Sequence, residues 1–374
     1  MKPDRRSVLT GGASALLLPS LLAAASRAGE EAGHGEALFV SSARRGDGSY
    51  CVVIVSASGR IVRELALNDR GHDVAVSPDG ALAVTFARRP GTFAVAFDTR
   101  GARSAIVFET PPARHFFGHG VFSADGRLLY ATENDFEQDG RGVLGVYDVA
   151  SGFRRIGELP SHGLGPHDLL LLGDGRTICV ANGGIETHPD AGRAELNLDT
   201  MRPSLVFLDS VTGDLVAEHV LPGALNCLSI RHLCADGSGK VWFGGQWQEA
   251  VASSPVLIGS AGRDSAIALV EGGEALGAGL KGYVGSVSAS SDGRIVAASA
   301  PKAGAVVFID PATGRVIGRK SLRDVCGIAP ASVTEMALSS GDGVLTIGPP
   351  PSSDATHSEV PGLAFDNHLR RLRG

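Results

Sequence analysis

Short apolar segments separated by turns rich in glycine and aspartate follow one another along most of the chain. One recurring turn contains Asp-Gly and ends at six glycines: Gly80, Gly126, Gly175, Gly239, Gly293 and Gly343. Asp-Gly between two apolar runs is a strong signal for a β-hairpin, because the turn needs residues with positive φ. The pattern therefore predicts antiparallel hairpins repeated along the chain.

A second recurring turn alternates with the first one. It has the form Asp-x-x-x-Gly or a close variant and ends at Gly59, Gly152, Gly213 and Gly314. Each unit thus reads as four strands within about 40 to 60 residues, the organisation of a β-propeller blade. Six Asp-Gly hairpins are visible, and the two ends of the chain would combine into one more blade. We predict an all-β, seven-bladed propeller closed by its N- and C-terminal strands, with six or eight blades as alternatives.

Residues 29–374 are expected to form this single propeller domain. Two insertions interrupt the repeat, residues 183–203 in the fourth unit and residues 246–262 in the fifth. Long polar insertions on a rigid scaffold commonly carry function, although they also serve as caps over an opening.

Residues 1–28 have the pattern of a twin-arginine signal peptide. Arg5 and Arg6 precede a weakly apolar run, and residues 26–28 offer a small-x-small cleavage site. The run contains Pro19 and falls short of the roughly 20 strongly apolar residues of a membrane span. We therefore expect a periplasmic protein with no stable membrane span in its mature part. An ordinary secretory signal or a membrane anchor is the alternative.

Charge and motifs narrow the classes of function. The chain has 34 basic and 40 acidic residues; removing residues 1–28 takes away four basic and one acidic residue, which leaves a net charge of −9. This balance gives no support to nucleic-acid binding. We expect the protein to be a monomer. No phosphate-loop, dinucleotide, zinc-peptidase or nucleophile-elbow motif is present. We therefore expect no nucleotide and no flavin.

The five cysteines contain no C-x-x-C pair, which excludes covalent haem attachment and thiolate metal clusters. Cys227 and Cys234 are the closest pair along the sequence. Both disulfides and buried free thiols remain open for these residues.

Four histidines occupy a similar place in the repeat. His72 and His167 stand eight residues before the glycine of their hairpin turn, and His119 and His232 stand seven before it. The first strand of a propeller blade lines the central channel, so these imidazoles are expected to converge near one mouth of it. The same counting places Glu335 at this position in the unit that ends at Gly343.

Imidazoles gathered around an axis favour a divalent transition metal such as copper, iron or zinc. Asp73 and Asp168 could orient them from behind, and His188 on the first insertion could reach over the same mouth. The alternative is a structural polar ring whose imidazoles bond to water or to the backbone. The candidate metal ligands are His72, His119, His167, His232, Glu335 and His368, the last of which lies near the closing strand.

Several long and unusual strings carry a resemblance to a known family. They are residues 88–92, 115–126, 130–136, 161–167, 181–189, 196–201, 229–232 and 242–247. In these strings the chain resembles domain-of-unknown-function family 1513 over essentially its whole mature part. The resemblance implies a propeller exported by the twin-arginine route and often encoded beside imelysin-like proteins of iron uptake. Imelysin-like or other periplasmic iron-uptake proteins are therefore the expected partners.

The resemblance also bears on the ligands. Gly245 stands where the family is expected to carry a cysteine before Gln-Trp, which weakens the case for a thiol ligand.

Three functions remain open. The first is a binding or accessory protein in iron or other metal acquisition, acting through a histidine-lined channel mouth. The others are a metal-dependent oxidoreductase or hydrolase at that mouth and an interaction scaffold with structural histidines. No catalytic residue can be assigned.

Overall fold

The computed structural model describes residues 27–28, 36–192, 194–352 and 354–372. In these residues seven antiparallel sheets form the blades of a ring, which confirms the predicted seven-bladed β-propeller. The predicted signal peptide lies outside the described residues except for residues 27–28. None of the helices in the described part of the chain has the length and hydropathy of a membrane span.

The strands run in chain order through the seven blades. Blade 1 begins with β1 (Arg27–Ala28), β2 (Leu38–Arg45), β3 (Tyr50–Ser56) and β4 (Ile61–Leu67). Blade 2 contains β5 (Gly71–Val76), β6 (Leu82–Ala87), β7 (Phe93–Asp98) and β8 (Ile106–Glu109). Blade 3 contains β9 (Arg114–Phe122), β10 (Leu128–Asp135), β11 (Arg141–Asp148) and β12 (Arg154–Leu164). Blade 4 contains β13 (Pro166–Leu171), β14 (Thr177–Asn182), β15 (Ser204–Asp209) and β16 (Leu215–Val220).

The remaining strands complete the ring. Blade 5 contains β17 (Leu228–Ala235), β18 (Val241–Trp247), β19 (Ile258–Gly262) and β20 (Ser265–Leu269). Blade 6 contains β21 (Ser286–Ala289), β22 (Val296–Ala300), β23 (Ala305–Asp310) and β24 (Arg315–Ser321). Blade 7 contains β25 (Val325–Pro330), β26 (Met336–Ser340), β27 (Val344–Gly348) and β28 (Thr356–Glu359). The last two strands are β29 (Leu363–Phe365) and β30 (Arg370–Leu372).

The helical segments are short 3-10 turns in the connections. They are Pro189–Ala191, Leu198–Thr200, Gly223–Leu225, Val251–Ser253, Gly273–Leu276, Ala278–Leu280 and Pro301–Ala303. Residues 183–203 form the connection between β14 and β15. In blade 5, the connection between β18 and β19 covers residues 248–257, because the ends of the predicted insertion belong to these two strands.

The two ends of the chain close the ring in blade 1. Strands β29 and β30 both pair with β2, with Phe365 opposite Ala43 and Arg371 opposite Phe39. The C-terminal segment thereby supplies the innermost strand of a blade whose other strands come from the N-terminal part. This arrangement confirms that both termini close one blade.

The Asp-Gly turns work as the sequence predicts in blades 2 to 6, where they connect the innermost strand to the second strand. In blade 2, Gly80 has a φ of +70° and its N–H donates to the Ser77 carbonyl oxygen at 2.8 Å. The Ser77 hydroxyl donates to Asp79, whose carboxylate also accepts the Ala81 N–H. A residue with a side chain would be strained at this φ, which explains the glycine.

Apolar side chains fill the spaces between adjacent blades. Phe86 of blade 2 packs with Phe116 of blade 3, and Phe39 of blade 1 packs with Leu345 of blade 7. Strands β16 and β24, the outermost of their blades, are more exposed than the strands inside them. The core is thus a circular series of interfaces between sheets, and each blade depends on both of its neighbours.

We expect Phe365→Ala to destabilise the protein by about 3 kcal/mol, since truncating a buried Phe costs roughly 3 to 5 kcal/mol. Phe365 is 3% exposed and lies in the core between blades 1 and 7, on the strand that closes the ring. Chemical denaturation measures the effect. Leu215→Ala on an outer strand, where Leu215 is 48% exposed, is the control. Equal stability of the two variants would contradict a stabilising role of the closing strand.

Candidate metal centre

Five histidines converge at one end of the channel axis. His72, His119, His167 and His232 lie on β5, β9, β13 and β17, the innermost strands of blades 2 to 5. His368 lies between β29 and β30 in blade 1. The structure therefore brings together five of the six residues that the sequence indicates.

β-Bulges explain how histidines at unequal spacings reach one place. The pairing of the innermost strand with its neighbour shifts between Gly71 and Val74 in blade 2 and between Pro166 and Asp168 in blade 4. Similar shifts occur around His119 in blade 3 and immediately before His232 in blade 5. A bulge adds residues to one strand and redirects a side chain. The one-residue difference in spacing is absorbed in this way.

Glu335 is the exception, and its assignment to the cluster is wrong. It lies in the turn between β25 and β26, where its carboxylate accepts the Ser332 hydroxyl at 3.1 Å. The Asp-Gly turn that ends at Gly343 connects β26 to β27, the second and third strands of the blade. The residue eight positions before Gly343 therefore lies in the turn before β26 and not on the innermost strand. The innermost strand of blade 7 instead carries Cys326 and Gly327 at its bulge.

The five imidazoles form a compact group with His119 at its centre. Its ring centroid lies 4.8 Å from those of His167 and His368, 4.9 Å from that of His72 and 5.8 Å from that of His232. The outer four follow one another around it, with neighbouring centroids 4.9 to 6.1 Å apart. Such spacing leaves the ring nitrogens within reach of one another.

Two carboxylates fix the orientation of His119. Its Nδ1 lies 3.1 Å from Asp73 and 3.3 Å from Asp168, so the N–H at this position donates to both acids. Arg370 holds Asp73 through two bonds of 2.9 and 2.6 Å, and the Leu233 N–H donates to Asp168 at 2.9 Å. With Nδ1 occupied, Nε2 is the atom of His119 that points towards the other imidazoles as a ligand.

His72 has the same arrangement with a different acid. Its Nδ1 lies 2.9 Å from Asp366, which also accepts the Nε–H of Arg70 at 2.7 Å. Burial alone would raise the pKa of Asp366, but His72 and Arg70 hold it well below its usual value. Two of the five imidazoles are therefore oriented by carboxylates, as in many sites where histidine binds a metal. Asp366 lies 294 residues from His72 in the chain, so no local sequence pattern indicates this contact.

Most of the other ring nitrogens in the cluster lack a hydrogen-bonding partner within the described part of the chain. Five buried imidazole nitrogens have no hydrogen-bonding partner among the described residues: His119 Nε2, His167 Nδ1, His232 Nδ1, His232 Nε2 and His368 Nε2. A buried polar atom left without a hydrogen bond costs about 1 to 3 kcal/mol, and native proteins contain few of them. Their concentration in one cluster makes it a place where a ligand such as a metal ion could bind.

Burial favours the neutral form of most of these imidazoles. It lowers the pKa of His72 to about 4 and the pKa values of His167, His232 and His368 well below the usual value. A neutral imidazole keeps the lone pair that a metal needs. His119 differs: burial would lower its pKa, but Asp168 and Asp73 outweigh burial and raise it to about 9. This basic ring becomes a strong ligand once Nε2 releases its proton.

Two overlapping sets of three histidines have donor atoms within 4.8 Å of one another. One contains His72, His119 and His167, and the other contains His119, His232 and His368. Three nitrogens bound to one ion at about 2.1 Å lie roughly 3.4 Å apart in tetrahedral geometry, so the rings would have to move inward by up to about 1 Å to bind one ion. Asp73 and Asp168 form a third set with His119, but their oxygens already accept the bonds described above.

A cavity of about 410 Å³ opens above the cluster at the same end of the channel. His72 and His167 form part of its wall, together with Gly183 and Ile185 from the long connection in blade 4. His188 of that connection instead packs against Phe136 with ring centroids 5.2 Å apart and does not line the cavity. The connection therefore shapes the mouth without adding an imidazole to it.

His115 is buried but differs from the cluster histidines. Its Nδ1 lies 2.9 Å from the Phe116 carbonyl oxygen, and its Nε2 accepts from the Asn134 side-chain amide at 3.1 Å. All five cysteines are buried free thiols, so the structure contains no disulfide between Cys227 and Cys234. Neither His115 nor a thiol adds a ligand to the cluster.

Comparison with known proteins identifies the family. Residues 65–372 match the model of a family described as "Protein of unknown function (DUF1513)". The chain belongs to this family. No curated protein matches the sequence. Membership confirms the family resemblance, and the family's description assigns no activity.

Solved structures with a similar fold share little sequence with this family member. A functionally unknown protein from Desulfotomaculum acetoxidans DSM 771 superposes with a TM-score of 0.60 at 12% identity, over 90% of this chain and 99% of the other. Hydrazine synthase from Kuenenia stuttgartiensis superposes with a TM-score of 0.57 at 12% identity, over 85% and 94%. At this level of identity the likeness concerns the fold alone.

We expect Asp73→Asn to lower the free energy of unfolding by about 3 kcal/mol, measured by denaturation with a metal chelator present. Removing one partner of a buried ion pair costs roughly 3 to 5 kcal/mol, because it leaves Arg370 uncompensated. Asp47→Asn on the surface is the matched control and should change stability by less than about 1 kcal/mol. Similar losses in both variants would show that the Asp73–Arg370 pair contributes nothing special.

Proposed function

We propose that the chain binds one divalent transition metal ion, copper, iron or zinc, in the five-histidine cluster. We further propose that it serves as a binding or accessory protein in metal acquisition. One observation carries the proposal: four neighbouring histidines hold five buried ring nitrogens without hydrogen-bonding partners in the described part of the chain. A metal ion bound by lone pairs of neutral imidazoles satisfies such atoms.

The alternative, a ring of structural histidines, accounts less well for this pattern. A structural histidine in this protein is represented by His115, whose two ring nitrogens both have partners. In the cluster, carboxylates occupy only Nδ1 of His119 and of His72. Imidazole ligands suit zinc, copper and iron alike, so the donor set leaves the choice among these metals to experiment.

The role in acquisition rests on weaker support. Twin arginines near the N-terminus support export to the periplasm, and the family resemblance implies genes beside imelysin-like iron-uptake proteins. We therefore propose that the metal is handled in the periplasm and that an imelysin-like protein is a partner. A protein that receives or passes on a metal needs the metal near solvent, and two of the histidines line the cavity.

A metal-dependent oxidoreductase or hydrolase is the second candidate function. It is favoured by the position of His72 and His167 on the cavity wall, which would leave one side of the metal open to a small substrate. Turnover that requires the bound metal would support this candidate. Metal retention without any turnover favours the binding role.

The metal prediction concerns the mature protein purified without a histidine tag. We expect about one equivalent of metal, retained through gel filtration and measured by elemental analysis, because one ion can take three or four of the five imidazoles. His119→Ala combined with His232→Ala should reduce it below about a tenth of an equivalent, since His119 belongs to both ligand sets. Circular dichroism verifies that the variant is folded.

The control for this experiment is His115→Ala, which removes a buried histidine with satisfied nitrogens and should leave the metal content unchanged. If the protein holds no metal and takes none up on titration near neutral pH, the proposal fails. Equal metal content in the double variant and in the control would also refute it.

Export by the twin-arginine route has its own test. Residues 1–28 fused to a folded reporter should direct the reporter to the periplasm, and Arg5→Lys with Arg6→Lys should keep it in the cytoplasm. Arg27→Lys, which lies outside the twin-arginine motif, should export normally. Periplasmic reporter in the double-lysine variant would exclude this route.

A further inference from the structure

The cavity above the histidine cluster is strongly cationic, although the chain as a whole has a net charge of −6. Five of its wall residues are arginine or lysine and one is acidic. The basic residues are Arg70, Arg88, Arg89, Arg231 and Lys302, and the acidic one is Glu195. Positive charge is thus concentrated at one mouth of an acidic molecule.

Arg231 is the most informative of these residues. It lies on β17 next to His232, and its Nε is buried without a hydrogen-bonding partner in the described residues. No acidic side chain of the described residues forms an ion pair with it, although Glu195 on the same cavity wall attracts it electrostatically. A buried cation without an ion-pair partner is unfavourable, so an arrangement of this kind points to an anionic ligand.

Lys302 lines the same cavity from the neighbouring blade 6, on the connection between β22 and β23. Its Nζ lies 5.3 Å from the centre of the Tyr283 ring, and the Tyr283 hydroxyl accepts a 2.7 Å hydrogen bond from the Asn367 amide. Gln246 and Ser229 add further polar groups to the wall. The lining is mainly polar and charged, unlike the mostly apolar pockets that bind apolar ligands.

We propose that this cavity binds a small organic anion with at least two acidic groups, carboxylate or phosphate, and that Arg231 of blade 5 and Lys302 of blade 6 bind these groups. Guanidinium groups pair in a bidentate manner with both carboxylate and phosphate. A volume of about 410 Å³ is within the usual range for a small-molecule site. His72 and His167 place the anion next to the metal of the proposed function.

The inference deepens the proposed function but does not require the metal, because both cations belong to the protein. Isothermal titration calorimetry of the metal-stripped, folded protein tests it, with citrate as the carboxylate probe and pyrophosphate as the phosphate probe. At least one probe should bind in one-to-one stoichiometry, and the tighter one identifies the acidic group. Binding of neither probe overturns the proposal.

Variants of single cavity residues distinguish a specific anion site from general electrostatic attraction between the anion and the protein. Lys302→Met and Arg231→Gln should each weaken binding at least tenfold, since each removes a charge-assisted contact. Lys240→Met is the matched control, because Lys240 also lies over an aromatic ring, 5.9 Å from the centre of Trp242, but does not line the cavity. Equal affinity in Lys302→Met and Lys240→Met, or full affinity in Arg231→Gln, contradicts the proposed site.

Metal content distinguishes this failure from a failure of the proposed function. Lys302→Met should keep about one equivalent of metal while losing affinity for the anion, because Lys302 lies outside both ligand sets. Anion binding by a protein that neither retains a metal on purification nor takes one up on titration would refute the metal proposal alone. Metal binding without anion affinity would refute the present inference alone.

Discussion

Arg370 and Asp73 form the contact that joins the closing strand of blade 1 to the innermost strand of blade 2. Asp73 accepts from His119 of blade 3, and His119 also donates to Asp168 of blade 4. Asp168 in turn accepts the Leu233 N–H of blade 5. One chain of polar contacts therefore connects five blades at the axis, where the apolar packing between blades does not reach. Buried charges of this kind stabilise only while every partner is present.

This network also determines what the histidines can do. The carboxylates of Asp73 and Asp168 take the Nδ1–H of His119, so the free nitrogen of that ring is directed at the other imidazoles. Asp366 does the same for His72. The proposed metal centre is thus a consequence of ring closure, since Arg370 and Asp366 both belong to the C-terminal segment that completes blade 1. A propeller that failed to close would have neither the second carboxylate nor His368.

The repeat pattern was sufficient to predict the blades, because Asp-Gly turns and alternating apolar runs are local signals. It also located His72, His119, His167 and His232, since residues at equivalent places in successive blades meet at the axis. The predicted position of Glu335 is wrong because the first hairpin of blade 7 lacks the Asp-Gly turn. The Asp-Gly turn of this blade lies in its second hairpin, between β26 and β27. The distance of a residue from the Asp-Gly turn predicts its place in the blade only if that turn connects the same two strands in every blade.

The partners of the histidines were beyond reach of the sequence for a different reason. Arg370 and Asp73 lie 297 residues apart, and their contact exists only because the ring closes. The basic side chains of the cavity come from the connection between blades 1 and 2 and from blades 2, 5 and 6, at positions that are unremarkable in the sequence. Only the three-dimensional fold shows that these charges share one space.

Charge balance links the two proposed ligands. Around the cluster, Asp73 and Asp366 face Arg370 and Arg70, and Asp168 faces His119, which its high pKa keeps protonated. A divalent metal on His119 Nε2 displaces that proton, so the site gains only one positive charge when the metal binds. That added charge lies below Arg231 and the other cations of the cavity and is repelled by them. An anion in the cavity would offset this repulsion, so the two proposed ligands would raise each other's affinity, by the same factor in both directions.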